Sequence, residues 1–181
     1  MNHRLAARAI ARLAILIGLV VAAGPALAGM FDDKDAARLA DINQAIQAFE
    51  NDVGAALHNL PPAESEQIES YAYVELNLEA AHERLNNIFM LVAVSIYLDS
   101  PTDQALVMDV MYRQLLSPSR NYLHVKNDAI ASMAAAHPTN KAFAEYRTRA
   151  DTLLGARAIP LLDEFYRRIE EFYRRIGAVR P

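Results

Sequence analysis

Residues 162–179 read LDEFYRRIEEFYRRIGAV, and their spacing decides the fold class. Leu162, Phe165, Ile169, Phe172, Ile176 and Val179 follow one another at intervals of 3, 4, 3, 4 and 3. An α-helix, with 3.6 residues per turn, gathers residues so spaced on one face, whereas a strand would scatter them over both. The hexapeptide EFYRRI occurs at 164–169 and again at 171–176. The offset is one heptad, so Phe and Ile stay on the same seam. Glu164–Arg168, Glu170–Arg174 and Glu171–Arg175 stand at i,i+4 in the favourable order, and Gly177 ends the helix.

The same period extends towards the N-terminus. Pro61-Pro62, Pro101 and Pro138 divide the chain into comparable lengths, each with helical periodicity. Helix 1 is expected over 33–59, with Leu39, Ile42, Ile46, Phe49, Val53 and Leu57 as its stripe and Asp32, Asp33 and Asp35 at its positive end. Helix 2 is expected over 63–98. Tyr71, Leu78, Leu85 and Val92 recur every seven residues, and its last third, IFMLVAVSIYL at 88–98, is apolar all round. Such a segment is either wrapped by other helices or placed in a subunit interface. Helix 3 starts near Thr102 with Pro101 just outside and runs to about Ala136, either kinked at Pro118 or restarted there with Ser117 as cap and Pro118 at its first position, the kink being preferred; helix 4 spans 140–177 with a second kink at Pro160. The expected fold is all-α, an up-down-up-down four-helix bundle of long, partly kinked helices, forming a single domain over 29–181.

Residues 1–28 have the layout of a secretory signal peptide. Arg4, Arg8 and Arg12 precede an apolar run of 11 residues, Leu13–Ala23, then Gly24-Pro25 and the small-residue site Ala26-Leu27-Ala28. The run is shorter than the roughly 20 residues a membrane span needs. Leu27-Ala28-Gly29-Met30 resembles a lipoprotein processing box, but Met30 stands where the lipidated Cys belongs. An exported protein of the periplasm or exterior is therefore expected, with no stable membrane anchor after cleavage. The chain has no Cys, so packing alone must hold it in an oxidising compartment.

Of 18 Lys and Arg, the leader carries three. The remaining 15 face 22 Asp and Glu, a net of −7, which speaks against nucleic acid as a partner. Residues 29–109 carry 3 basic and 15 acidic side chains, and residues 110–181 carry 12 basic and 7 acidic. The first two helices should therefore lie against the last two.

Chemistry-bearing patterns are sparse. There is no Cys nucleophile, G-x-S-x-G elbow or Gly-rich phosphate loop, so no catalytic residue is assigned. Glu79-Ala80-Ala81-His82 is an E-x-x-H, which resembles a half-site of the ferritin-like di-iron bundles; that family uses two such motifs plus a Glu from each of two other helices. The resemblance implies a divalent metal held by Glu79, His82 and His124, with Glu50, Asp128 or Glu145 completing the shell. His124 with Met90, Met108, Met111 or Met133 could supply axial haem ligands. Tyr166, Arg167, Tyr173 and Arg174 form a Tyr/Arg strip of the kind favoured at interfaces. The first expectation is a non-enzymatic exported bundle that binds a protein partner or itself, without a cofactor. A metal-binding bundle is the second. A small-ligand module with a cavity opened at Pro118 and Pro160 is the third.

Overall fold

In the computed structural model, the residues described are 30–98 and 100–175. The leader read over 1–28, the seam positions Ile176 and Val179, and the helix end read at Gly177 lie outside them. Every described element is helical, and among the described residues there is no strand. Four rods form a helical bundle. The first is α1, Asp33–His58, and the second is α2, Ile68–Tyr97. The third joins α3, Pro101–Val110, through a π-helical turn at Met111–Leu116 to α4, Ser117–Ala136. The fourth joins α5, Lys141–Ala150, through a π-helical stretch at Asp151–Ala158 to α6, Ile159–Arg175.

Each start follows from local chemistry. Asp32 caps α1: its Oδ1 accepts from the backbone N–H of Lys34 and Asp35 at 2.9 and 3.0 Å, and Asp35 Oδ2 accepts from Asp32 N–H at 3.2 Å. This reciprocal capping box satisfies donors that a helix start otherwise leaves open. Asn140 caps α5 by accepting from Ala142 N–H at 2.8 Å. Pro101 is the first residue of α3 and not outside it, since its missing N–H falls where no intrahelical partner exists. The second rod also differs from expectation, because Pro62–Gln67 forms a tight 3-10 turn before α2 begins.

The prolines inside the rods behave differently from simple kinks. Helix continues through both Pro118 and Pro160, and each is preceded, two residues earlier, by the end of a π-helical stretch. A proline ring clashes with the carbonyl four residues before it. Those carbonyls belong to Gln114 and Ala156, both inside the π stretches. Widening the turn there relieves the clash while the rod goes on. No side-chain cap on Ser117 restarts the third rod.

The rods close on one core. The most extensive packing is between α1 and α2; α2 also packs on α4, and α4 on α5 and α6. Phe49, Tyr71, Phe143 and Tyr146 form an aromatic layer with ring centroids 4.8–6.0 Å apart. Phe31 meets Phe165 edge-on at 4.9 Å. Ile46, Leu78, Leu85, Leu123, Ile130 and Leu154 are fully buried. Gly54 marks a close approach of α1 to α2, where a Cβ would come within 2.5 Å of Glu75 Oε1. The acidic first half does meet the basic second half. Arg168 Nη1 donates to Asp35 Oδ2 at 2.6 Å, Arg157 pairs with Asp41, and Arg149 Nη2 donates to Asp52 Oδ2 at 2.9 Å. Arg38 grips Glu164 through both nitrogens, at 3.1 and 2.8 Å.

Two outcomes follow. Leu85→Ala leaves a cavity in a fully buried site and should cost about 2–5 kcal/mol, read by urea unfolding. The Arg38 hydrogen bond, helped by the Arg168 charge and opposed by burial, holds the Glu164 carboxyl below its ordinary value of 4.5. A depressed folded pKa gives stability that is present above 4.5 and lost as pH falls through the folded value. On acidification below 4.5, the thermal midpoint of the native protein should therefore fall more steeply than that of Glu164→Gln.

Candidate functional site

α2 carries two apolar seams on opposite sides. The inner one, Tyr71, Val74, Leu78, Ala81, Leu85, Ile88, Val92 and Ser95, is buried throughout. Two residues further along the chain is about 200° around a helix. The positions so displaced are Tyr73, Leu76, Ala80, Glu83, Asn87, Met90, Val94 and Tyr97. They again follow the 3, 4 rhythm, but they face water: Tyr73, Leu76, Met90, Val94 and Tyr97 are 44–77% exposed. Glu83 and Asn87, both exposed, interrupt the apolar run at its middle. Ile68 at the start of α2 and Leu106 on α3 are also exposed apolar residues. Large exposed apolar runs with polar edges mark interaction surfaces.

The apolar segment 88–98 expected from sequence thus divides. Ile88 and Val92 are core, while Met90, Val94 and Tyr97 point outward. The outward residues Leu76 and Ala80 were missed. Their signal in sequence is a second 3, 4 pattern in register with the first, weaker because Ala80, Glu83 and Asn87 interrupt it.

The Tyr/Arg strip of α6 also divides. Tyr166 stacks on Tyr112 at 5.0 Å with planes 14° apart and donates its hydroxyl to the Tyr112 hydroxyl at 3.3 Å. Tyr112 donates in turn to Glu170 Oε1 at 3.3 Å. Tyr173 is buried with its ring 5.6 Å from that of Tyr112. Arg167 and Arg174 face solvent. Burial, then the hydrogen bond with Tyr166, raises the Tyr112 phenol well above its ordinary value. Burial, then the Asp109 charge, pushes Tyr173 up to about 12, and burial followed by Tyr71 does the same to Tyr146. Tyr112 sits in the π turn before Pro118, so the widened turn also positions this cluster.

Glu79 is exposed, and His82 turns to α1, where its Nδ1 lies 3.3 Å from Glu50 Oε2. His124, Asp128 and Glu145 are exposed on α4 and α5. Among the described residues no group of three or more metal-ligating side chains gathers in one place. Met108 and Met111 are core residues, Met133 is half-buried and Met90 lies on the outward seam.

One cavity is lined by Pro160, and another by Ser117, the residue before Pro118, without Pro118 itself. A groove of about 440 Å³ is lined by Arg38, Asp41, Arg157, Pro160, Glu164 and Arg167, among others. A smaller one of about 140 Å³ lies at Ser117, Arg120 and Tyr166. The charges of the larger groove are paired with one another, except that Arg167 donates Nε to the Asp163 carbonyl at 3.3 Å. Ser70 Oγ and His137 Nε2, 2.9 Å apart and carrying no motif in sequence, join the start of α2 to the turn before α5. His137 stacks on Phe143 at 4.8 Å, and among the described residues no carboxylate meets its ring.

No helix of the described residues is long and apolar enough to cross a membrane. No known protein family matches the chain, and no curated protein or solved structure does either.

The buried phenols have a measurable consequence. A phenol whose folded pKa is raised contributes stability that is present below its ordinary value of 10 and lost as pH climbs towards 12. In ultraviolet titration of phenolate, Tyr173→Phe should remove one late-ionising tyrosine, and its alkaline loss of stability should be smaller than that of the native protein.

Proposed function

We propose that this chain is an exported, non-enzymatic helical bundle that works by binding a protein, with the outward seam of α2 as its docking face. In this reading residues 1–28 direct export to the periplasm or exterior and are removed. The mature bundle runs up-down-up-down. The order of the cross-rod pairs supports that path: partners of Asp35, Asp41 and Asp52 come from Arg168, Arg157 and Arg149, running backwards along the chain.

The observation that carries the function is the seam itself. Tyr73, Leu76, Met90, Val94 and Tyr97 keep their apolar surface in water on a helix whose opposite face already supplies the core. Burial of such a side chain is worth roughly 1.5–3 kcal/mol, so withdrawing this seam from water gives a partner ample driving force. Aromatic and Met side chains are enriched at such surfaces. Exposed Glu79 and Glu83 beside and within the seam supply the polar edge that keeps the free protein in solution.

A single charge tests this. Val94→Glu adds a carboxylate to an exposed position, so the thermal midpoint should stay close to that of the native chain. Binding through the seam should weaken by on the order of 10- to 100-fold. Unchanged association by analytical ultracentrifugation and by titration with the captured partner removes the seam from the function.

A further inference from the structure

The outward seam of α2 can be laid on a reversed copy of itself, and the residues that then meet are matched. Its positions, Tyr73, Leu76, Ala80, Glu83, Asn87, Met90, Val94 and Tyr97, are spaced 3, 4, 3, 4, 3, 4 and 3, a sequence of intervals that reads the same in both directions. Two such seams laid antiparallel therefore meet layer by layer, in the a-to-d pairing of an antiparallel coiled coil. We propose that the occupant is a second copy of this chain, docked antiparallel along α2 about a two-fold axis at the level of Leu85. This rests on the reading of the seam as a docking face.

The layers that result are matched in size and chemistry. Tyr73 faces Tyr97 of the second copy, an aromatic pair at each end. Leu76 faces Val94. Ala80, the smallest seam residue, faces Met90, a long and adaptable one, so small meets large. Glu83 faces Asn87, whose amide N–H can donate to the carboxylate. A polar layer of this kind sets register in coiled coils.

Charge decides the direction. Glu69, Glu79 and Glu83 lie in the N-terminal half of α2 with Arg84 as its one Lys or Arg, Glu75 turns to Gly54 of α1, and residues 85–97 carry no charged side chain. A parallel pair would set Glu79 and Glu83 against their own copies. The antiparallel pair sets each acidic half against an uncharged half and opposes the two helix dipoles. The seam is about 36 Å long at 1.5 Å per residue. A single helix face of that length buries less than the ~800 Å² per partner of a standard interface, so the dimer should be weak and reversible.

The absence of Cys makes the register directly readable. In the antiparallel arrangement Leu76 lies beside Val94 of the second copy and about 27 Å from the other Leu76, whereas a disulfide needs Cα atoms within about 7 Å. The full chain, recovered after export, is studied by light scattering over rising concentration and by mild oxidation of cysteine variants. The expected result is a mass that rises from one chain to two, a cross-link in the double variant Leu76→Cys/Val94→Cys, and none in Leu76→Cys alone. Tyr73→Cys/Tyr97→Cys repeats the test at the seam ends should the first pair fold poorly. Cross-linking of Leu76→Cys to itself overturns the antiparallel register, and a monomer up to about 1 mM overturns the second copy as occupant. In that last case maleimide labelling of Leu76→Cys separates the two claims. Protection in intact cells but reactivity after purification means a different protein covers the seam; reactivity in both means the docking reading fails as well.

Discussion

Burial of one apolar stripe per rod is the constraint on which the structure depends. The chain has no disulfide to restrain it, so its helices persist only where a 3, 4 pattern meets another. The inner face of α2 is the clearest case, with Val74, Leu78, Ala81, Leu85, Ile88 and Val92 all removed from water against α1 and α4. The other features are arranged around that contact. Capping at Asp32 and Asn140 fixes where rods begin. The π stretches let the third and fourth rods keep their faces inward past Pro118 and Pro160.

Electrostatics adds direction to this packing more than strength. Exposed ion pairs are individually weak, and Arg149–Asp52 and Arg157–Asp41 are of that kind. The pair at Asp35 differs, because its carboxylate is buried and also closes the capping box of α1. Arg168 answers that buried charge, and with Arg38 it grips Glu164. The start of the first rod is thereby tied to the last. A rod shifted by one turn would break the Arg168 contact and leave the buried Asp35 carboxylate with only the Asp32 N–H and Arg38 of its own rod, a larger penalty than losing an exposed pair.

How legible this was depends on which signal a residue carried. The heptad of α6 and the stripe of α1 were readable because their apolar residues are both periodic and buried, as Phe165, Ile169, Ile46 and Phe49 are. The charge split between the halves foretold the arginine–aspartate pairs for the same reason: long-range attraction follows composition. The prolines were harder. Sequence shows a missing N–H and a steric clash, but several local remedies exist, and here the remedy was a widened turn. The candidate residues were hardest, because a side chain's partner is set by tertiary placement. His82 has Glu79 within a turn of it in sequence, yet it lies against Glu50 of a different rod. Tyr166 and Tyr173 look like an external strip until Tyr112, remote in sequence, is brought to them by the π turn.

The outward seam of α2 follows from the same physics carried one step further. A rod at the corner of a four-rod bundle needs a single apolar face, and the inner seam already provides it. A second seam in the same rhythm therefore contributes nothing to the isolated fold and exposes apolar area to water, a liability in the free state. The polar pair at its centre limits that liability: Glu83 and Asn87 split the seam into two shorter apolar patches, neither of which can stack indefinitely on its neighbours. In a docked state the same pair admits the register that satisfies it and penalises slipped ones, in which a carboxylate would face a methyl group. Solubility of the free bundle and specificity of a docked one are thus served by the same two exposed residues, Glu83 and Asn87.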